Sequence, residues 1–226
     1  MNLDKVINGL REQEAPPATT MQEYDRRYGN LKELFLQTFF DRKKVHYKID
    51  GYNQKQFDLM LWYFCQHPNF LNPENKTHHD VADYSFKKGI MMVGNVGCGK
   101  TEMITNFYEV LKRFQMGFVI HSCLDIEESF ATSGYEALKE YTKPFTKVFD
   151  DLGFDDVVKF YGNEERIMIR VLEKRHRQFI DKGIISHFTT NLNGKLIKER
   201  YGERTHSRVK EMCNIINFSK DAKDRR

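Results

Sequence analysis

The chain is short of several things at once, and each shortage excludes a class of function. It holds four cysteines in 226 residues: Cys65, Cys98, Cys123 and Cys213. No two of them have metal-ligand or C-x-x-C spacing, so neither a zinc site nor a dithiol redox centre is expected. Four reduced thiols fit a reducing cytoplasm. No run of residues is long and apolar enough to span a bilayer, so no membrane partner is expected. The opening "MNLDKVINGLREQEAPPATT" lacks the apolar core of a secretory signal. Strong charge of one sign is also missing. Lys and Arg total 36 against 32 Asp and Glu, a net +4. So mild a balance is compatible with nucleic acid but does not argue for it. There is no internal repeat. His78 and His79 stand in a polar run with no cysteine nearby and are expected to be solvated loop residues.

What is present is enough for a folded domain. Hydrophobic residues make up 40% and aromatics 13% of the chain. Residues 1–20 are polar and broken by Pro16-Pro17, which predicts a weakly ordered lead-in. Helical periodicity then runs from about Glu23 to Lys44, with Leu31, Leu34, Phe35, Thr38 and Phe39 on one face. A second helix is predicted from about Asn53, and a loop over 67–86. From Lys88 the rhythm changes. "GIMMVG", "GFVIHS", "FTKVFDDLG" (weakened by Lys147), "GIISHFTTN" and "CNIINF" read as strands. "TEMITNFYEVLKRFQ", the acidic stretch 124–141, "NEERIMIRVLEKRHRQFI" and "NGKLIKERYG" read as helices. Such alternation predicts an α/β fold with a parallel sheet covered by helices on both faces. The expected organisation is an N-terminal extension over 1–50 and a nucleotide-binding domain over 51–226.

"GNVGCGKT" fits the phosphate-loop pattern G-x-x-x-x-G-K-[ST] from Gly94 to Thr101. The loop comprises Gly94, Asn95, Val96, Gly97, Cys98, Gly99, Lys100 and Thr101. Its backbone N–H groups must point inward around phosphate, which needs glycine conformations and no obstructing side chain. The helix that follows adds its positive N-terminal end. Lys100 is expected to reach the β- and γ-phosphates, and Thr101 to offer its hydroxyl to Mg²⁺. An apolar strand before and an amphipathic helix after supply the required context.

"VFDDLG" follows about fifty residues later. Asp150 is assigned to Mg²⁺ and Asp151 to the attacking water. "DDLG" also fits the D-x-x-G of GTPases, but a GTPase should carry N-K-x-D to read guanine. The Asn-Lys here, Asn75-Lys76, lies upstream of the loop and lacks the aspartate. ATP is therefore the expected nucleotide. Asn191 ends a predicted strand, where its amide can bond both the γ-phosphate and the attacking water. Arg204 and Arg208 follow on a predicted helix, where an arginine can reach a neighbouring subunit's γ-phosphate.

In this order, "KKGIMMVGNVGCGKT", "FDDLG", "FTTNLN" and "YGERTHSRVKEMCNIINF" resemble the DnaC/IstB-like branch of the AAA+ ATPases. The resemblance covers roughly residues 54–218. It implies a phosphate-loop AAA+ sheet in which Gly94–Thr101 is the Walker A loop; as a departure from the family, the helical lid is expected to be minimal or absent. Asp150 and Asp151 are the corresponding Walker B acids, Asn191 is sensor 1, and Arg208 best matches the arginine finger. The Asp-Asp pair departs from the Asp-Glu of many AAA+ proteins and implies slow turnover. The late sensor-2 arginine has no clean match, leaving Arg225 or Arg226. The implied partners are a replicative DNA helicase, single-stranded DNA and further subunits in a homo- or hetero-oligomeric ring. The implied setting is a bacterial cell or a virus-infected one. Basic residues Arg170, Lys174, Arg175, Arg177, Lys195, Lys198 and Arg200 are candidates for tracking a DNA backbone. The expected activity is that of an ATP-dependent helicase loader. Alternatives are a transposition helper ATPase, a phosphate-loop small-molecule kinase, and an adaptor that binds nucleotide without hydrolysing it.

Overall fold

The structure, a computed structural model, describes residues 19–77, 83–160 and 163–219, with backbone alone for 159, 160 and 163–165. His78, His79, Arg225 and Arg226 lie outside the described residues, as does the expected lead-in up to residue 18. The chain divides into two compact units. Among the described residues, one takes those within 19–86 and 102–117, the other those within 87–101 and 118–219.

The first unit is helical. Helix α1 spans Met21–Lys43, and its first turn is capped by Thr20, whose side chain accepts from the Glu23 N–H. Helix α2 spans Gln54–Phe64, followed by short 3₁₀ turns at Pro68–Leu71 and Pro73–Asn75. The last helix here belongs to α3, Lys100–Lys112, from Glu102 onward. Apolar residues at helical spacing meet in an aromatic core. Phe35 packs on Phe57, Phe107 and Tyr47 with ring centroids 4.9, 4.7 and 5.1 Å apart. Burying rings of this size is the dominant stabilising term in so small a unit.

The second unit carries the sheet. Its strands are β1 (Gly89–Val93), β2 (Val119–Ser122), β3 (Lys147–Leu152), β6 (Ser186–Thr190) and β7 (Cys213–Asn217). They run parallel in the order β2-β3-β6-β1-β7. The helices of this unit are α4 (Cys123–Ser133), α5 (Leu138–Tyr141), α6 (Ile167–Lys182), α7 (Gly194–Tyr201) and α8 (Glu203–Met212). Phe149 of β3 and Phe188 of β6 stack at 5.5 Å within a core that includes Met91, Ile126, Val171 and Leu172.

Two expectations about elements are corrected. Lys147 does not weaken its strand. It starts β3 fully buried, with its ammonium 3.1 Å from His121 Nε2. The helix expected from Asn163 begins only at Ile167. Asn163–Glu165 instead forms a short strand, β5, antiparallel to β4 (Val158–Phe160). Helical periodicity starts at Ile167 and Met168, so the polar residues before them lay outside it.

Strand β6 is fully buried along its length, yet four of its five residues are polar: Ser186, His187, Thr189 and Thr190. Burial of such groups is tolerable only if each is hydrogen-bonded. Ser186 Oγ accepts from Arg175 Nε at 2.7 Å, and His187 Nδ1 accepts from the Ile90 N–H at 3.1 Å. The two threonines bond to β3, which carries the acidic pair.

Candidate functional site

Strand order decides what meets at the C-terminal edge of the sheet. β1 leads into the glycine loop and β3 ends in the acidic pair. β6 lies between them, paired to both. Residues leaving β6 are therefore placed between the loop and the acids, in the crevice where parallel sheets bind ligands.

The loop has the backbone its composition demands. Gly97 and Gly99 sit at φ +82° and +93°, conformations that side chains rarely adopt. At Gly94 an added Cβ would lie 2.7 Å from Phe218 Cβ and 3.1 Å from Cys98 Sγ, so there packing rather than conformation requires glycine. The loop is tied down at both sides. Gly94 N donates to Thr190 O at 3.1 Å, and Phe218 N donates to Val93 O at 2.7 Å. Lys100 is buried, and its ammonium donates to the carbonyls of Gly94 and Asn95 at 2.6 and 2.9 Å. Cys98 is buried beneath it, with Sγ 3.6 Å from that ammonium.

Across from the loop, Thr101 Oγ1 donates to Asp150 Oδ1 at 3.0 Å. These two hard oxygens suit Mg²⁺, which takes few protein ligands and completes its shell with water and phosphate oxygens. Burial is the main cause that pushes the Asp150 carboxyl above the ordinary carboxylate range. The neighbouring Asp151 adds to the rise, while hydrogen bonds from Thr189 and Thr101 and the nearby Lys100 oppose it.

The acidic pair sits on a bulge. Phe149 pairs with Phe188 and Leu152 with Thr190, so β3 advances three residues while β6 advances two. Such an insertion re-aims a side chain beside a site. Asp151 absorbs it at φ +56°, a left-handed conformation that Asp tolerates better than most residues. Its side chain makes no hydrogen bond or ion pair among the described residues and is half-buried.

Sequence reasoning missed the residue that fixes this bulge. Thr189 Oγ1 donates to Asp150 Oδ1 at 2.5 Å and accepts from the Asp151 N–H at 2.9 Å. One hydroxyl thus sets both acids. Thr190 does the same one step on, donating to Leu152 O at 2.5 Å and accepting from the Leu192 N–H at 3.0 Å. The signal was the doubled threonine of "FTTN", which resembles ordinary strand chemistry. Gly153, the glycine of D-x-x-G, has a packing reason here. It lies at φ +106°, and a Cβ would come 2.4 Å from Leu192 Cδ1.

Asn191 directly follows β6, half-buried, with a side chain that makes no hydrogen bond among the described residues. Arg208 is not brought to this group. It lies on α8 and pairs with Glu173 of α6 at 2.5 Å.

The expected basic face needs a correction. Arg175 is fully buried and cannot meet DNA. All its donors are used: Ser186 Oγ, Gln178 Oε1 and the carbonyls of Lys143, Phe145 and Ile185, at 2.7 to 3.0 Å. Arg170 lies over the Tyr135 ring at 5.0 Å, and Lys195 and Lys198 stand beside Glu199 and Glu203. Arg200 donates to Asp155 O and lies 3.4 Å from Asp156 Oδ1. Lys174 and Arg177 make no ion pair among the described residues.

No family model matches the chain, and no curated protein matches it. Solved structures do. The crystal structure of the DnaC helicase loader is 19% identical with a TM-score of 0.52, over 78% of this chain and 95% of that one. The crystal structure of DnaI gives 16% and 0.52, over 83% and 94%. AMPPCP-bound DnaA from Aquifex aeolicus gives 14% and 0.50, over 76% of this chain but 48% of that one. At these identities the likeness establishes the fold: a five-stranded parallel phosphate-loop sheet flanked by helices, the DnaC-like AAA+ fold.

Proposed function

We propose that the chain is an ATP-dependent helicase loader acting in DNA replication. The observation that carries this is the placing of β6 between the glycine loop and the acids, with Thr101 and Asp150 in direct contact. The loader part leans on the likeness to structures described as a helicase loader and as DnaI.

In this reading Gly94–Thr101 wraps the triphosphate with its backbone N–H groups, and Lys100 turns from loop carbonyls to the β- and γ-phosphates. Thr101 and Asp150 hold Mg²⁺, which neutralises charge on the phosphates. Asp151 orients and deprotonates the attacking water. Thr189 keeps that carboxylate aimed, and Asn191 bonds the γ-phosphate. Arg208 stabilises transition-state charge on the nucleotide of a neighbouring subunit. The shorter Asp-Asp pair suits a slow switch, in which ATP binding favours assembly on a replicative helicase and single-stranded DNA, and hydrolysis releases the helicase.

Co-purification with a replicative helicase, with and without Mg·ATP, tests the proposal alongside steady-state ATPase with and without single-stranded DNA. The expected result is nucleotide-dependent helicase capture, lost in Lys100→Ala together with hydrolysis. Helicase capture that ignores both nucleotide and Lys100→Ala would contradict it.

A further inference from the structure

An arginine meant for a neighbouring subunit's phosphate must be held somewhere until that neighbour arrives. In this chain Arg208 is engaged by a carboxylate of its own subunit. Helices α6 and α8 wall a pocket of about 290 Å³ whose lining includes Glu173, Arg177, Ile180, Asp181, Arg204 and Arg208. Arg208 Nη1 lies 2.5 Å from Glu173 Oε1, with the arginine side chain 20% and the glutamate 43% exposed. Arg177 and Arg204 make no ion pair among the described residues. With Glu173 engaged by Arg208, the pocket keeps an excess of guanidinium charge over its remaining carboxylate, Asp181. A second tie, His176 Nε2 to Glu211 Oε2 at 2.8 Å, also links α6 to α8, so their packing does not hang on Glu173 alone.

We propose that Glu173 is a positioning residue that parks Arg208 in this pocket and yields it to the terminal phosphate of a neighbouring subunit's nucleotide. The inference rests on the reading of Arg208 as a residue acting across subunits. Two physical points favour it. A terminal phosphate carries more charge than a carboxylate and matches the guanidinium fork, so it displaces Glu173. The pair is partly exposed, so the exchange has a small cost and is reversible. Arg177 and Arg204 draw the incoming anion toward the place where Arg208 is released.

The test is steady-state ATPase as a function of protein concentration at saturating Mg·ATP, using the full chain. Glu173→Gln keeps an acceptor oxygen for Arg208 but removes the competing charge. It is expected to lower the protein concentration at half-maximal rate about two- to fivefold, as fits a partly exposed ion pair, and to leave the maximal rate unchanged. Glu173→Ala, which frees Arg208 altogether, lowers that concentration at least as far and also leaves the maximal rate unchanged. That split between apparent assembly and maximal rate is not what a merely structural role produces. Should Glu173→Gln fail to fold, Glu173→Ala carries the test. Superposition of both variants on the wild-type curve, while Arg208→Ala abolishes the concentration-dependent rise, overturns the role of Glu173 and leaves Arg208 in place. A rise that survives Arg208→Ala overturns the reading of Arg208 and this inference with it.

Discussion

Single side chains carry more of this protein than their type suggests, and Arg175 is the clearest case. It is a buried cation with no carboxylate partner among the described residues, held by carbonyl, hydroxyl and amide oxygens around a full set of donors. Removing it leaves those acceptors dry. Arg175→Met is expected to lower unfolding free energy by about 3 kcal/mol or more, read by urea denaturation. An exposed DNA-contacting arginine would instead alter salt-dependent DNA binding and leave stability near wild type. The helical pattern held the clue, since Met168, Val171, Leu172, Arg175 and Gln178 share one buried face. Charge type obscured what spacing had placed. The glycine loop was legible for the opposite reason, because its backbone conformation restricts residue choice and so writes itself into the sequence. Asp150 offers a second residue-scale test. Its carboxyl is held above the ordinary value of 3.8, chiefly by burial. In the ligand-free protein its contribution to stability is present below that value and is lost as pH rises through the raised one. Mg²⁺ needs the ionised form, so Mg²⁺-dependent nucleotide binding should strengthen with rising pH across a range displaced above that of a free carboxylate. Asp150→Asn should abolish this dependence without lowering Tm at neutral pH.

At the scale of elements, β6 is the piece that makes the site. It was predicted as a strand, but its partners are non-local: β1 lies about a hundred residues back and β3 about forty. Nothing in "SHFTTN" announces that one threonine hydroxyl will hold two acids on a bulge. Thr189→Val keeps shape and β propensity but removes that hydroxyl. It should cost about 1–3 kcal/mol in stability through the unsatisfied Asp151 N–H and reduce hydrolysis far more than ATP binding. Thr189→Ser should restore both, and a Val variant with full ATPase activity would refute the role. The strand also carries an acid-sensitive joint. His187 is fully buried and pushed down to about 3, first by burial and then by the nearby Arg175 charge. His121 is pushed down to about 4 by burial and by Lys147. A histidine depressed in the fold contributes stability that is present above its unfolded value, 6.5, and is lost as pH falls toward the folded value. Denaturation at about pH 7 and about pH 5 should therefore show a loss on acidification, smaller in His187→Gln.

For the whole molecule, the sheet and the helices around it were legible from alternation of apolar runs and amphipathic stretches. The hairpin of β4 and β5 was not, because its three-residue strands are too short to show a period. In the proposed reading the molecule is half of an intersubunit switch. Loop, acids, Asn191 and the β6 threonines assemble at one sheet edge, while Arg208 stands apart on α8, held by Glu173. Everything proposed about helicase and DNA depends on that edge binding Mg·ATP. The most direct measurement is equilibrium binding of a fluorescent ATP analogue, with and without Mg²⁺, to wild type and Lys100→Ala. Saturable binding that Mg²⁺ tightens and Lys100→Ala weakens by about tenfold or more, the loss of a charge-assisted phosphate contact, is the predicted result. Absence of binding to the folded wild-type protein, or equal binding by the two proteins, would contradict it.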